Sequence, residues 1–441
     1  MSNHRSGGRA WHSLIALLVT VVTAAPTASQ QAPLLVTLDE AIEIALDQNP
    51  SVQQAENSAR LGTLAVRQQQ RALLPDLRLT TSTSAPYASG FETDPAVNAG
   101  ISTSVQVSNI YSTMASIEQA RIDESGGGQN LLRAQQTVIF NVISNYLSVL
   151  EAQEQVVVQR QNVLAIESQE AQIQAFVDAG RRPISDLYQQ QASTAGARLN
   201  LVQAERGLVV ARMNLIRTLQ LDPFAEYEFV APEASRAELP AASLQVAQLT
   251  ARAFSQRPDL AAAALQVNSA EQGVKIADAT RWPTLSLSLG YGADFTSANS
   301  VNVFDQLEQR RGGSLQLGLS VPLLDSTTGI TRERARIQVD NARIGLENTR
   351  QAVATEVQTA FLDLELAERQ LEVAELQLRS AELALEVAQQ RYDVGAGTLL
   401  ELTQAQSSQV RAASDLVNAR YGLLLQNRVL EYHLGELDGG D

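Results

Sequence analysis

The sequence predicts a mainly α protein with a transmembrane β-barrel: long coiled-coil helices plus four strands per chain, arranged as an internal duplication. Three observations carry that expectation. Proline landmarks recur at a fixed step, period-2 segments follow them, and unbroken heptad runs follow the strands.

Residues 1–29 begin with Arg5 and Arg9, continue through an apolar run from Leu14 to Ala25, and end in small residues around Ala24–Ser29. A basic start, a short apolar stretch and small residues make an export signal. A membrane anchor is the alternative, but about 12 apolar residues fall short of the roughly 20 a spanning helix needs. No other apolar run is long enough, so a membrane role would have to use β-strands. Losing Arg5 and Arg9 takes the formal charge from −15 to −17.

The chain then repeats itself. Pro50 and Pro75 recur as Pro258 and Pro283, each 208 positions on. Later landmarks shift by 215: Asn145-Tyr146-Leu147 matches Ala360-Phe361-Leu362, and Ala179-Gly180 matches Val394-Gly395. A period this long indicates duplication of a whole module and not a solenoid. The expected units are a first repeat over 30–221, a linker over 222–243 containing Pro223, Pro232 and Pro240, a second repeat over 244–437, and an acidic tail at 438–441.

Strands are expected at about 77–87 and 99–108 in the first copy, and at about 284–292 and 314–321 in the second. Leu285, Leu287, Leu289 and Tyr291 alternate with Thr284, Ser286, Ser288 and Gly290, which gives one apolar and one polar face. A half-buried soluble strand would read similarly. However, the polar faces are small and uncharged apart from Arg78, and the strands reach bilayer length. Tyr87, Phe91, Tyr291 and Trp282 fall near the expected strand ends, where aromatic girdles belong. Four strands cannot close a barrel and lipid forbids an open edge, so several chains must contribute.

Heptads follow. Val353, Val357, Ala360, Leu364, Ala367 and Leu371 continue in unbroken 3-4 steps to Tyr392, and Val138 to Val177 keeps the same register. Sustained 3-4 spacing specifies a coiled coil. A helix from 112 to 178 would run about 100 Å. Leu402 to Leu430 returns as a partner helix, with hairpin tips near 180–183 and 394–398. Glycine at each tip suits a helix C-cap. Thr37 with Glu40, and Thr398 with Glu401, fit capping boxes.

Composition narrows function. The chain has 33 Lys+Arg against 48 Asp+Glu, which argues against nucleic acid as main partner. It has no cysteine, a single lysine (Lys275), and only His433 beyond the first segment. Few residues remain for general-base, nucleophilic or metal chemistry, so no enzyme, cofactor or metal centre is expected. A non-transporting coiled-coil surface protein stays as the second reading, and a secreted enzyme as the third.

Several local motifs recur in order. They are Leu38, Ala41, Ala45 and Asn49-Pro50, the Leu74-Pro75 and Trp282-Pro283 strand starts, Val321-Pro322-Leu323-Leu324-Asp325, and Arg391-Tyr392-Asp393-Val394-Gly395. Together they resemble the outer-membrane efflux protein family, of which TolC is the type, over essentially the whole mature chain. The resemblance implies a homotrimer with a 12-stranded barrel in outer-membrane lipid and a helical tunnel in the periplasm. It further implies a passive exit channel served by a periplasmic adapter and an inner-membrane pump, for efflux or type I secretion.

It also assigns residues. Glu401 stands at the first constriction position and Gln404 at the second, where the family has another acid. Tyr392 and Asp186 fit the paired gate contacts, while Tyr392 also continues the heptad seam and has a packing role open to it. Glu401 has helix capping open to it, and a capping carboxylate at a three-fold axis would still form an anionic ring. A basic residue of the type protein falls at Gly397, with Arg181 and Arg182 the nearby cations that could replace it. Gly180, Arg181, Val394, Gly395, Ala396 and Thr398 correspond to the adapter-docking turns, the first of these turns being degenerate. Without an N-terminal cysteine, the lipid anchor of many relatives is not expected.

Overall fold

The structure, a computed structural model, describes residues 34–84, 96–106, 110–230, 245–296, 302–323 and 326–437. The expected signal segment, Tyr87, Phe91, Leu324, Asp325, residues 231–243 of the linker and the acidic tail lie outside them.

Each copy opens with two short helices. In the first these are α1 (Leu38–Gln48) and α2 (Pro50–Arg71). Thr37 Oγ1 accepts from the Glu40 amide, and Glu40 Oε2 accepts from the Thr37 amide at 2.9 Å, so this capping box is complete. Asn49 caps α2 through Oδ1 while Pro50 occupies a position that needs no donor. The counterparts are α5 (Val246–Gln256) and α6 (Pro258–Ala279).

Strands β2 (Asp76–Ser84), β3 (Ala96–Gln106), β5 (Thr284–Thr296) and β6 (Arg311–Ser320) form one antiparallel sheet in the order β2-β3-β5-β6. Register places the apolar positions together: Leu79 opposite Ile101, Ile101 opposite Tyr291, and Leu285, Leu287 and Leu289 opposite Leu319, Leu317 and Leu315. The intervening rows are small or polar, such as Ser288 opposite Ser104 and Gln316. Leu77, Leu79, Leu315, Leu317 and Leu319 remain at least two-thirds exposed in the single chain. Arg78 pairs with Asp76, two residues before it on the same face of β2, at 2.6 Å.

Three local expectations change. Tyr291 sits in the middle of β5 and not near its end, because the strand continues to Thr296. A helix, α7 (Val303–Gln309), lies between β5 and β6, too short for a 3.6-residue period to reveal. The linker contains β4 (Tyr227–Phe229), which pairs in parallel with β1 (Leu34–Val36). Its aromatics explain this. Phe229 is buried edge-on against Tyr146 at 5.9 Å, and Tyr146 Oη reaches the carbonyls of Val36 at 3.0 Å and Val230 at 2.6 Å.

The long helices are α3 (Ile110–Asp178, 69 residues) and α8 (Ser326–Asp393, 68 residues), with α4 (Ile184–Thr218) and α9 (Leu399–Leu434) returning along them. At 1.5 Å per residue α3 spans about 100 Å. Val353, Val357, Ala360, Leu364, Ala367, Ala374 and Tyr392 are buried on α8, as the heptad requires. Among the described residues no helix is long and apolar enough to cross a membrane.

At mid-height the copies differ in kind. In the second, Arg257 is 3 % exposed, forms a two-pronged bond to Asp259 and reaches Glu356 at 2.5 Å. His433 Nδ1 lies 3.3 Å from the same Glu356 oxygen. Burial alone would raise the Asp259 carboxyl, yet the Arg257 contacts win and hold it below its usual range. The equivalent first-copy positions are Asn49, Asn141 and Thr218, joined by neutral hydrogen bonds: Asn49 Nδ2 donates to the Thr218 carbonyl, and Asn145 Nδ2 to the Asn141 carbonyl and Thr218 Oγ1.

Candidate functional site

The tip of the second hairpin concentrates the residues singled out in the sequence. Helix α8 ends where Gly395 adopts φ 76°, with the Ala396 amide donating to the Arg391 carbonyl at 2.8 Å and the Gly395 amide to Tyr392 at 3.0 Å. Left-handed φ favours glycine, and this bond pair satisfies the last helical carbonyls. The first hairpin repeats the geometry at Gly180, φ 70°, with Arg181 bonded to Phe176 and Gly180 to Val177. The first turn is degenerate in sequence but equivalent in backbone. Gly180, Arg181, Val394, Gly395, Ala396 and Thr398 are all exposed there.

Between the hairpins, Ile173, Leu187, Tyr392, Leu399 and Leu402 form a small buried cluster. Tyr392 is 1 % exposed, and among the described residues its hydroxyl has no hydrogen-bond partner. Burial pushes its phenol up, with the Arg182 charge opposing and Asp186 and Asp393 reinforcing the rise. Asp186 itself accepts from the neighbouring Ser185 hydroxyl. Arg182, from the other hairpin, donates to the Tyr392 carbonyl at 2.9 Å and stacks over its ring at 4.3 Å.

Gly397 sits in a tight part of the same turn. A Cβ at this position would lie 3.1 Å from Arg391 Cβ and 3.2 Å from the Tyr392 amide nitrogen. The turn is too tight to admit a side chain without moving backbone.

Thr398 caps α9, accepting from the Glu401 amide at 3.2 Å. The reciprocal half of the expected capping box does not form. The Glu401 carboxylate instead lies 3.6 Å from Arg391 across the turn, both groups about half exposed. Gln404 is exposed one turn on, followed at 3-4 spacing by exposed Ser408 and Arg411. This polar row on α9 was readable as the complement of the heptad seam, but sequence reasoning reached only its first two members. Among the described residues no cluster of three His, Cys, Asp or Glu could hold a metal. Exposed carboxylate and amide groups on a helix face can line a path and set its charge.

A sequence profile of outer membrane efflux proteins matches residues 41–219 and 249–436, one segment for each copy. The chain belongs to the outer membrane efflux protein family. No curated protein matches it in sequence. Solved structures do match in fold. The CmeC outer membrane channel of Campylobacter jejuni aligns with TM-score 0.78 at 16 % identity, over 90 % of this chain and 85 % of that one. The outer membrane protein VceC of Vibrio cholerae gives 0.75 at 17 %, over 90 % and 96 %. The MtrE outer membrane channel of Neisseria gonorrhoeae gives 0.73 at 20 %, over 90 % and 88 %. As a member of the outer membrane efflux protein family, this is an outer-membrane efflux protein, and not an enzyme.

Proposed function

We propose that three copies form a passive outer-membrane exit duct, gated at its periplasmic tip and docked there by an adapter that joins it to an inner-membrane pump. The observation that carries this reading is the sheet. Strands β2 and β6 end it on either side with no partner among the described residues, while Leu77, Leu79, Leu289, Leu315, Leu317 and Leu319 are exposed on one face. An open edge in lipid leaves backbone groups unsatisfied at several kcal/mol each, so β6 of one copy must pair with β2 of the next. Four strands from each of three chains then close a barrel of the permitted size.

The helices support the same closure. Leu362, Leu366, Val373, Leu376, Leu383 and Val387 form a second, exposed seam on α8 at heptad spacing. Leu199, Val202, Val209 and Met213 do so on α4. Two unpartnered seams on one chain suit a ring in which each copy covers the next.

In that ring Glu401 supplies three carboxylates and Gln404 three amides to the narrowest part of the duct. Tyr392 and Asp186 are the gate contacts between hairpins, and the exposed turns at Gly180-Arg181 and Val394-Gly395-Ala396 with Thr398 receive the adapter. Energy comes from the pump.

The test is the mass of detergent-solubilised protein from an outer-membrane fraction, corrected for bound detergent. Three chains is the expected result. A monodisperse monomer would defeat the barrel and the duct together.

A further inference from the structure

We infer that each chain carries a phosphate-binding groove for a phospholipid headgroup at the periplasmic rim of its β5–β6 hairpin. The groove has a volume of about 500 Å³ and is lined by Asp278, Arg281, Trp282 and Arg332. Its position follows from connectivity. Trp282 lies two residues before β5, and Arg332 stands on the second turn of α8, which follows β6. The strand ends that lead to them, Thr284 and Ser320, are paired with each other. The groove therefore sits where the sheet leaves the membrane, the level of lipid headgroups.

Its chemistry fits a phosphodiester. Two guanidiniums and one carboxylate leave a net charge of about +1, against −1 on a phosphodiester. Asp278 Oδ1 approaches Arg332 Nε at 2.9 Å, but among the described residues the N–H has no aligned acceptor. The last carbonyls of α6 are already taken by the amides of Thr280, Arg281 and Trp282, so the arginines are not needed to cap it. Trp282 is 61 % exposed and lies 6.5 Å from the exposed Tyr111 ring, a pair of aromatics at interfacial depth.

The duplication provides a comparison. The first-copy equivalents of Arg281 and Arg332 are Leu73 and Ile117, which line a groove with Tyr111 and Met114 whose charges, Glu118, Arg121 and Lys275, come from other positions. The fold thus makes a hollow at this level in both copies, and in the second two arginines stand where the first has leucine and isoleucine. Packing does not require the arginines. An anionic headgroup does.

The inference rests on the membrane-spanning barrel, so its test records the oligomer mass in the same sample. Purified full-length protein is titrated with palmitoyl-oleoyl phosphatidylglycerol in detergent, and retained lipid is counted by native mass spectrometry. The wild type should hold this lipid, and R281Q and R332Q should each weaken it about tenfold. R334Q, an exposed charge on the same helix, should bind as wild type. Equal retention by the R281Q/R332Q protein at unchanged trimer mass overturns the site. Equal competition by inorganic phosphate overturns the lipid assignment, and loss of the trimer in the wild type overturns the barrel beneath it.

Discussion

Arg182 and Tyr392 join the two hairpin tips of one chain: the guanidinium donates to the Tyr392 carbonyl at 2.9 Å and covers its ring at 4.3 Å. The charged hydrogen bond and the cation–π contact together contribute roughly 2–3 kcal/mol to holding the tips together. R182A should therefore speed amide exchange at the 391–398 turn by tenfold or more and raise single-channel conductance. Unchanged exchange would mean that the apolar cluster alone holds the tips.

Glu401 and Thr398 have separable roles. Glu401 makes only a half-exposed ion pair, which is worth little to stability, whereas Thr398 caps α9. E401Q should leave the melting temperature almost unchanged while weakening cation selectivity and block by multivalent cations. T398A should cost about 1 kcal/mol of stability and leave selectivity near wild type. The reverse pattern would remove Glu401 from the duct lining.

His433 predicts an acid-side loss of stability. Burial holds it below its ordinary 6.5; Glu356 pulls it back up, while Arg257 and Arg133 push with burial. The unfolded chain therefore binds a proton near pH 6.5 that the folded chain refuses until lower pH. This contribution is full above about pH 6.5 and is lost as pH falls through the folded value. H433Q should flatten the melting curve between about pH 7.5 and 5.5. Parallel curves would assign the acid sensitivity elsewhere.

Tyr146 ties the β1–β4 pair to α3 through two carbonyls. Y146F strips a buried donor from both and should cost about 1–3 kcal/mol. Thermal melting of the detergent-solubilised protein checks this, and a shift under one degree would show that water replaces the hydroxyl.

The elements most legible in the sequence were those with a period. Leu285 to Tyr291 announced a strand face, Val353 to Tyr392 a helix seam, and Gly180 and Gly395 the turns. Short pieces were not legible. The β1–β4 pair is three residues on each side, and α7 is seven, so neither gives a pattern long enough to read. At the tip, Thr398 capped as its spacing predicts, but Glu401 turned to Arg391 because a cation across the turn competes with the cap amide.

By itself the sequence determined the duplication and the alternation of sheet and coiled coil, because each follows from local spacing. Only tertiary structure decided which long polar side chains meet. Arg182 finds Tyr392, Arg257 finds Glu356, and Arg281 shares a groove with Arg332. Each of these first-named arginines stands just outside a helix end, and its partner lies on α8. A periodic pattern says which face a residue occupies, but the height at which two distant helices pack fixes what that face touches.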